Sequence, residues 1–276
     1  MKKVLLLGAT GMLGHAVGKV LVKNYDLTCT SRVAAYLQAL QFDAKRALDS
    51  EYMKAFFQQV GEVDYVINAI GDIRPTNYET AFIVNSVLPH VLARQYGHQL
   101  IHISTDCVYS GTDGKAPYNE SSIAHPTDLY GMTKRLGEPK ECLTIRTSII
   151  GREMFGHVGL LEWFLNAAKS ERAKQFGIAG YVDHFWNGIT AHQYGLICDK
   201  IMERDVPIQG VRHVFSSDIS KHDMLVAFSD RFNVKCQIIP AQTGGIDRRL
   251  GTTSGFNAWM KVPSFQEMLN QMPEEA

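Results

Sequence analysis

The sequence predicts an α/β protein with a doubly wound parallel sheet and a smaller α/β lobe in its C-terminal half. Three observations predict this fold class. Short aliphatic runs alternate with amphipathic helical patterns through the first 151 residues. The first run is apolar throughout and aliphatic residues recur in the others, as expected of parallel strands that are covered on both faces. The first run also ends in a glycine-rich turn, and right-handed crossovers between such units place helices on both sides of a sheet.

Each element of the first half follows from its residue pattern. The strands are runs rich in valine, leucine and isoleucine, predicted over residues 4–7, 27–30, 63–67, 99–104 and 143–147. The helices are longer segments with apolar residues three and four positions apart, predicted over residues 12–23, 51–60, 76–96 and 129–137. Their alternation predicts a parallel sheet, because parallel strands need a crossover connection between them.

The second half has a different rhythm. Glycine and aspartate become frequent between its predicted elements, which are helices over residues 160–170, 190–203 and 264–272 and strands over residues 213–215 and 235–239. No proline- or serine-rich linker separates the halves, so we expect two lobes packed together. We place the boundary at residue 151, with one domain over residues 1–151 and a smaller lobe over residues 152–276.

Composition excludes several classes of protein. The 276 residues contain 28 lysines and arginines and 28 aspartates and glutamates. This zero net charge argues against a broad surface for nucleic acid or an anionic membrane. No apolar run approaches the ~20 residues that span a bilayer. The aliphatic run at the N-terminus is shorter than the roughly 7 residues of a secretory signal, so we expect a soluble, cytoplasmic protein.

The cysteines and histidines predict neither disulfides nor a metal site. The five cysteines are scattered without a Cys-x-x-Cys pair, which is typical of reduced cytoplasmic thiols. The ten histidines include no His-Glu-x-x-His motif. His98 and His102 are four residues apart, but His102 falls in a predicted strand, where this spacing builds no helical metal face.

A glycine-rich turn follows the first predicted strand and opens the first predicted helix. Gly8, Gly11 and Gly14 let the chain turn sharply, approach a pyrophosphate and pack the helix on the sheet. The free N–H groups at the helix N-terminus then face the phosphates. The spacing is Gly-x-x-Gly-x-x-Gly, not the Gly-x-Gly-x-x-Gly of the common fingerprint. Its place between a strand and a helix indicates a Rossmann-type dinucleotide site.

The end of the second strand indicates which dinucleotide is bound. NAD-binding domains hold the ribose 2′-hydroxyl with an acidic residue about 20 residues beyond the glycine turn. This chain has Ser31 and Arg32 there and no carboxylate. A hydroxyl and a guanidinium suit the 2′-phosphate of NADP, so we expect NADP, with NAD less favoured. The alternative interpretation of Arg32 is an exposed surface arginine.

Tyr130 and Lys134 are four residues apart, on one face of a predicted helix. A nearby lysine cation, with a nicotinamide above it, lowers the pKa of a tyrosine and makes it a usable proton donor. Ser104 and Thr105 lie at the end of the strand over residues 99–104, at the sheet edge where ligands bind in this fold. We therefore expect Thr105 beside Tyr130, although a hydroxyl at a strand end can also satisfy a backbone group.

These residues together resemble the extended short-chain dehydrogenase/reductases that act on nucleotide sugars, and most closely the dTDP-4-dehydrorhamnose reductase group. The resemblance covers nearly the whole chain and is strongest before residue 151. It is carried by the segments 8–14 (GATGMLG), 66–71 (VINAIG), 104–111 (STDCVYSG), 130–134 (YGMTK), 145–151 (IRTSIIG) and 263–269 (PSFQEML), and by Asn85, Glu120 and Pro126.

The resemblance implies specific roles for these residues. Tyr130 gives a proton to a sugar carbonyl as hydride arrives from the nicotinamide, Lys134 binds the nicotinamide ribose, and Thr105 bonds the reacting oxygen. Asp43 approaches the adenine, and Asn85 supports the loop after the fourth strand. The implied cofactor contacts are, in chain order, Gly8, Thr10, Gly11, Met12, Leu13, Gly14, Ser31, Arg32, Asp43, Asn68, Ala69, Ile70, Gly71, Asn85, Tyr130 and Lys134. Relatives commonly dimerise through their long helices, which makes the helices over residues 76–96 and 129–137 candidates for a homodimer contact.

The C-terminal lobe is expected mainly to bind the substrate, and three positions are candidates for that contact. Asp106, at the edge of the first domain, is either a turn residue or a substrate contact. Trp186 can stack on a base or sugar, or belong to the core of the lobe. Arg248, with Arg249 beside it, can meet a substrate pyrophosphate or form a solvated charged pair. The segment around Trp186 departs from the rhamnose reductase pattern and leaves the nucleotide and the sugar open.

We expect an NADPH-dependent reductase of a nucleotide-linked 4-keto-6-deoxy sugar that serves surface polysaccharide synthesis. One alternative is an epimerase or dehydratase with the same catalytic set. Arg32 disfavours the NAD of those enzymes, and Asp106 lacks the adjacent glutamate of a dehydratase. Another alternative is a non-catalytic NADP-binding regulatory subunit, because relatives of the group include a regulatory partner of methionine adenosyltransferase. The intact set of Thr105, Tyr130 and Lys134 argues against that alternative.

Overall fold

The computed structural model describes residues 1–32 and 39–274, and its main feature is a seven-stranded parallel sheet. The strands in chain order are β1 (Lys3–Leu7), β2 (Asp26–Ser31), β3 (Leu40–Gln41), β4 (Tyr65–Asn68), β5 (Leu100–Ser104), β6 (Leu143–Arg146), β7 (Ile149–Ile150), β8 (Ile178–Tyr181), β9 (His184–Trp186), β10 (Ile189–Thr190), β11 (Gly210–His213), β12 (Ile219–Ser220), β13 (Ile238–Ala241) and β14 (Ile246–Asp247). The main sheet has the order β11–β6–β5–β4–β1–β2–β3, with every pairing parallel. The predicted doubly wound Rossmann-type α/β fold is confirmed.

Helices cover both faces of this sheet and build much of the second lobe. In chain order they are α1 (Met12–Leu21), α2 (Ser50–Val60), α3 (Tyr78–Phe82), α4 (Leu88–Tyr96), α5 (Leu129–Leu136), α6 (Leu160–Ala167), α7 (Glu171–Phe176), α8 (Ala191–Arg204), α9 (Lys221–Arg231), α10 (Phe256–Met260) and α11 (Phe265–Gln271). The long helix predicted over residues 76–96 is interrupted, because a π-helical turn, Ile83–Val87, joins α3 to α4. Within residues 1–32 and 39–274, no helix has the length and apolar character needed to cross a bilayer.

The two faces of the sheet carry separate apolar clusters. On one face, α1 and α8 pack together and against the strands. Gly195 of α8 allows this approach, because a Cβ atom there would lie 2.9 Å from the side chain of Val20. On the other face, α2 and α4 cover the strands through buried side chains such as Phe56 and Leu92. Burial on both faces explains the long apolar stretches of the central strands β1 and β4.

The second lobe has its own core, to which Phe164 of α6, Phe228 of α9 and Phe265 of α11 contribute. Helix α9 is absent from the predicted elements. Its signal is a Ser-x-x-Asp cap, in which the Ser220 hydroxyl accepts a hydrogen bond from the N–H of Asp223 at 3.0 Å. Met224 and Phe228 then bury one face of the helix.

Two elements of the second half pack with the first domain, one as a strand of the main sheet and one as a helix that covers it. Strand β11 pairs with β6 at the sheet edge, and α8 covers one face beside α1. The predicted strands over residues 213–215 and 235–239 correspond to β11 and β13, each displaced by about three residues. The boundary at residue 151 stays a prediction, with the sheet itself drawing strands from both sides of it.

Candidate active site

The glycine-rich turn lies at the carboxyl end of β1. Gly8 has a φ of +85°, a left-handed conformation that favours glycine. A Cβ atom on Gly14 would lie 2.1 Å from the Gly8 carbonyl oxygen, so only glycine lets α1 approach the turn this closely. Gly11 is the residue before α1, and without a side chain it cannot cap the N–H groups at the start of the helix. The N–H groups of the first helical turn are therefore available to a ligand.

A cleft of about 610 Å³ opens at this turn, within the size range of pockets that bind small molecules and cofactors. The predicted cofactor residues that line it are Gly8, Thr10, Gly11, Ser31, Arg32, Asp43, Ala69, Ile70 and Gly71. Phe155 and Gly156 line it from the second half of the chain, a contribution that no sequence pattern indicates. The other predicted cofactor residues do not line the cleft: Met12, Leu13, Gly14, Asn68, Asn85, Tyr130 and Lys134. Leu13 is part of the core of the sheet.

Two cationic residues line the cleft. Arg32 is one of them, as predicted from the sequence, and Lys45, from the segment after β3, is the other. Asp43 also lines the cleft, and its Oδ1 accepts a hydrogen bond from the N–H of Lys45 at 3.0 Å. Lys45 is missing from the predicted residues because the sequence does not show that β3 lies beside β2.

Asn68 shapes the loop that follows β4. Its Oδ1 accepts a hydrogen bond from the N–H of Ile70, and its Nδ2 lies 3.1 Å from Nδ1 of His102. Because an amide nitrogen only donates, Nδ1 of His102 is the acceptor. His102 is fully buried, and burial holds its pKa well below the usual value. A neutral His102 therefore fixes the orientation of Asn68.

Asn85 connects the same loop to α5. Its Oδ1 accepts from the N–H of Asp72 at 2.8 Å, and its Nδ2 donates to the carbonyl of Asp72 and to Oγ1 of Thr133, both at 3.0 Å. The π-helical turn that carries Asn85 packs against the end of α5, where a Cβ atom on Gly137 would lie 1.8 Å from the Asn85 carbonyl oxygen. Asn85 thus holds the loop from behind and does not line the cleft.

Thr105 and Tyr130 come together because α5 packs closely on the segment after β5. A Cβ atom on Gly131 would lie 2.2 Å from the carbonyl oxygen of Cys107. Asp128 caps α5 by accepting from the N–H of Gly131 at 2.7 Å. Thr105 accepts a hydrogen bond from the N–H of Cys107 at 3.1 Å. Its hydroxyl also interacts by hydrogen bonding with the hydroxyl of Tyr130. Thr105 therefore satisfies a backbone group and faces the tyrosine as well.

Lys134 lies one helical turn after Tyr130 and is buried. Its Nζ donates a hydrogen bond to the carbonyl of Ile103 at 2.6 Å. Burial lowers the pKa of Lys134 to about 8, although the carboxylate of Glu138 opposes this shift. The side chain is therefore mainly cationic at neutral pH.

The pKa of Tyr130 is set mainly by burial. Burial raises it above the usual value, Cys107 and Asp106 raise it further, and the hydroxyl of Thr105 opposes them. Desolvation dominates in the protein by itself. The lowering expected from Lys134 together with a bound nicotinamide stays a prediction. Tyr130 is thus a protonated phenol at neutral pH, as a proton donor needs to be.

Asp106 and Arg248 lie beside the catalytic set. The Thr105 hydroxyl donates to Oδ1 of Asp106 at 3.1 Å, and burial raises the pKa of this carboxyl although Arg248 opposes the shift. Arg248 donates through Nε to the carbonyl of Tyr109 at 3.0 Å, and its Nη1 lies 3.6 Å from Sγ of Cys107. Both candidates for substrate contact therefore lie next to Thr105.

Trp186 and Arg249 make contacts within the protein that hold the second lobe together. Trp186 is 8% exposed and packs edge-on against Phe265, with ring centroids 5.8 Å apart. The stacking role predicted for Trp186 is corrected, because its ring belongs to the core of the second lobe. Arg249 forms an ion pair with Asp247 at 2.7 Å and another with Asp218.

The close approach at Gly131 can be tested directly. We expect Gly131→Ala to lower stability by about 1–3 kcal/mol, because the added methyl group overlaps the Cys107 backbone. The free energy of unfolding from urea titration measures the effect. Gly255→Ala is the control, since nothing lies within 4 Å of a Cβ atom at that position. Equal stability of the two variants would contradict the packing described here.

The parallel sheet, the glycine turn on its first strand and the Thr105, Tyr130 and Lys134 set at its edge define the class of protein: an extended short-chain dehydrogenase/reductase fold. The chain belongs to the RmlD substrate binding domain family, which matches residues 1–243. No group of three or more His, Cys, Asp or Glu side chains within the described ranges could hold a metal ion.

The chain is similar to proteins that carry different functional names. Methionine adenosyltransferase 2 subunit beta of Xenopus laevis is 29% identical over 251 residues, which cover 84% of this chain and 73% of that protein. The spore coat polysaccharide biosynthesis protein SpsK of Bacillus subtilis is 30% identical over 184 residues, or 62% of this chain and 61% of that one. The dTDP-4-dehydrorhamnose reductase of Bacillus anthracis, solved in complex with NADP, has a TM-score of 0.79 at 18% identity and covers 99% of this chain and 98% of its own.

Proposed function

We propose that this protein is an NADPH-dependent reductase of a nucleotide-linked 4-keto-6-deoxy sugar. The observation that carries the proposal is the setting of Tyr130, a protonated phenol beside Thr105 and one helical turn before the buried Lys134. The helix that holds Tyr130 is linked through Asn85 to the loop that borders the cleft. A proton donor on a helix that is tied to the loop of the cofactor cleft is what carbonyl reduction by a dinucleotide requires.

The residues of the cleft fit a dinucleotide. The turn at Gly8 and Gly14 has no room for side chains, and the uncapped start of α1 suits a pyrophosphate. Arg32 and Lys45 suit the 2′-phosphate that distinguishes NADP from NAD. When bound, NADPH supplies the hydride that adds to the carbonyl carbon of the sugar.

The protein's own side chains handle the proton. Tyr130 donates its phenolic proton to the carbonyl oxygen, and its raised pKa keeps the proton in place until that oxygen gains negative charge. The Thr105 hydroxyl, which donates to Asp106, turns its proton to the same oxygen when the substrate binds. The cation of Lys134 stabilises the phenolate that remains on Tyr130.

The names of the relatives support the substrate class. One structural neighbour is a dTDP-4-dehydrorhamnose reductase, and the name of the Bacillus subtilis relative refers to polysaccharide biosynthesis. We assign Arg248 to the diphosphate of the substrate. Asp106 is followed by Cys107 and not by a glutamate, which disfavours a dehydratase. We further propose that the protein acts in the cytoplasm and pairs with a second copy through α3–α5.

The second candidate function is that of a non-catalytic, NADP-binding regulatory subunit. The specific observation in its favour is the 29% identity to methionine adenosyltransferase 2 subunit beta. The two functions differ in what happens to bound NADPH, since only a reductase consumes it.

The test is incubation with NADPH and a panel of 4-keto sugar nucleotides made in situ, followed by NADPH absorbance and product analysis. The reductase proposal expects NADPH oxidation with at least one member of the panel. Tight NADPH binding without oxidation of any member would support the regulatory subunit instead.

Arg32 provides a test of the choice of cofactor. We expect Arg32→Ala to raise the Kd of NADPH about tenfold or more, because a charge-assisted hydrogen bond to phosphate is lost. The Kd of NADH should change little, and fluorescence titration of both cofactors measures the difference. Arg46→Ala is the control, because Arg46 lies nearby but pairs with Asp49 at 2.6 Å. Equal weakening of NADPH and NADH in Arg32→Ala would refute the NADP assignment.

A further inference from the structure

A turn over residues 153–159, called the strap below, lies between β7 and α6 and borders the cofactor cleft. Phe155 and Gly156 of the strap line the cleft. Gly156 and His157 both have left-handed backbone conformations, with φ of +89° and +45°, so the chain reverses sharply here. The second lobe therefore adds a tight turn to a cleft whose other lining residues come from the first domain.

One buried carboxylate holds the strap in shape. The side chain of Glu153 accepts hydrogen bonds from the N–H of Val158 at 2.9 Å and from the N–H of Gly159 at 2.5 Å. A Cβ atom on Gly159 would lie 2.4 Å from Oε1 of Glu153, so glycine leaves room for this contact. The N–H of Glu153 donates in turn to Glu162 of α6 at 3.1 Å. The two ends of the strap are thus bonded to each other and to α6.

The strap contacts both sides of the crevice that contains the dinucleotide site. On one side, Cβ atoms on Gly159 and on Gly151, just before the strap, would lie 3.9 and 3.2 Å from the side chain of Met12 at the start of α1. On the other side, the Arg74 guanidinium donates from the loop after β4 to the carbonyl of Val158. Strands β1 and β4 are neighbours where the strand order reverses, which is where ligands bind in this fold. The strap therefore spans the crevice beside the helix start that suits a pyrophosphate.

Arg74 bonds the strap from a supported loop. It follows Asp72 by two residues, and the N–H of Asp72 donates to Oδ1 of Asn85 at 2.8 Å. Arg74 itself is exposed, so water competes for its bond to Val158 and the net stabilisation is modest. Such a bond can open and close again without disturbing the core.

Phe155 places an aromatic side chain at the edge of the cleft. It is 59% exposed, which is a large apolar surface for a residue that borders a ligand site. Contact with a bound dinucleotide would remove part of this surface from water, and apolar burial of this kind favours the bound state. The position of Phe155 therefore predicts a contact with the cofactor.

We propose that the strap closes over the bound dinucleotide, with Phe155 packed against the cofactor and the bond from Arg74 to Val158 as its latch. This inference rests on the proposed function only for the dinucleotide in the cleft. The latch joins the two sides of the crevice, so it has to open when the cofactor enters and again when it leaves. The latch thus limits the rate of cofactor exchange, whereas Phe155 contributes to affinity. A reductase exchanges its cofactor in every turnover, so this rate bears on kcat.

Stopped-flow fluorescence of NADPH with the full chain tests the proposal without substrate. Mixing with NADPH gives kon, and displacement by excess NADP⁺ gives koff. We expect Arg74→Met to raise kon and koff together by about two- to tenfold, as for loss of one hydrogen bond, so that Kd changes little. We expect Phe155→Ala to raise koff about tenfold through lost apolar contact, with kon nearly unchanged.

Arg172→Met and Phe176→Ala are the matched controls, because both replace exposed residues of α7. Both should keep the wild-type rates. The proposal is overturned if Arg74→Met keeps the wild-type kon and koff, or if Phe155→Ala keeps the wild-type koff, in a protein that binds NADPH. A protein whose rates change as expected but that never oxidises NADPH would contradict the reductase proposal alone.

Discussion

Replacing Tyr130 by phenylalanine is expected to lower kcat for sugar reduction by about 10²–10⁴-fold. The aromatic ring stays in place against Thr105, but the only proton that the mechanism assigns to the carbonyl oxygen is lost. The Kd of NADPH should stay nearly unchanged, because the cleft lining does not include Tyr130. Steady-state kinetics and fluorescence titration measure the two quantities separately.

Tyr78→Phe is the matched control for this variant. Tyr78 is an exposed tyrosine on α3 that is 63% accessible, so its replacement should leave kcat and Kd at their wild-type values. A Tyr130→Phe protein with the kcat of wild type would rule out Tyr130 as the proton donor. A parallel loss of NADPH affinity would show instead that the ring supports the cleft.

Replacing Arg146 by methionine is expected to have the largest effect on stability, a loss of about 3–5 kcal/mol. Arg146 donates to both carboxylate oxygens of Glu138 at 2.7 Å and to the hydroxyl of Tyr109 at 2.7 Å. The side chains of Arg146 and Glu138 are 4% and 0% exposed. Removing the guanidinium leaves a buried carboxylate without its main partner. The free energy of unfolding from urea titration measures the loss.

Arg135 is a matched control because it pairs with the same carboxylate from outside. It contacts Oε2 of Glu138 at 2.9 Å, but its own side chain is 48% exposed. Arg135→Met should therefore cost less than about 1 kcal/mol. If both variants lost the same stability, burial of the Arg146 pair would not be the source of its effect.

The Glu138 network also affects the catalytic set. Glu138 accepts a hydrogen bond at 2.7 Å from the hydroxyl of Ser104, the residue directly before Thr105. Its charge also opposes the lowering of the pKa of Lys134 by burial. Arg146 lies on β6 and Glu138 follows α5, so the pair joins the strand and the helix that carry the site. Stability and site geometry therefore depend on the same buried charges.

The first half of the fold could be predicted from the sequence because its signals are local. Apolar runs such as the one before Gly8, and the glycine spacing after it, determine strand, turn and helix within a few residues. The π-helical turn at Asn85 is not a local signal. Asn85 on this turn bonds Asp72 and Thr133, 13 and 48 residues away in the chain, and a local pattern does not show such contacts.

The candidate site was predictable where a motif lies at a strand end, as for Thr105, or within one helix, as for Tyr130 and Lys134. Lys45 was not, because its position in the cleft depends on the pairing of β3 with β2, which the sequence does not show. Trp186 shows the opposite error, since an aromatic residue near a glycine suits either a ligand contact or a core, and only packing against Phe265 decides.

The pKa of Tyr130 shows a limit of a different kind. The spacing to Lys134 predicts a lowered pKa, but the sequence does not show how deeply either group is buried. Desolvation is the largest influence on both groups, and it moves both toward their neutral forms. For a reductase this difference is favourable, because the tyrosine has to start with its proton.

The central claim is that the protein transfers a hydride to a sugar carbonyl, and isotope transfer tests it most directly. The measurement uses NADPH carrying deuterium at the transferable position of the nicotinamide, together with a 4-keto-6-deoxy sugar nucleotide, and mass spectrometry of the product. We predict that the sugar gains a single deuterium on the ring carbon that held the carbonyl. A protein that binds NADPH tightly while no sugar nucleotide in the panel gains label would contradict the claim.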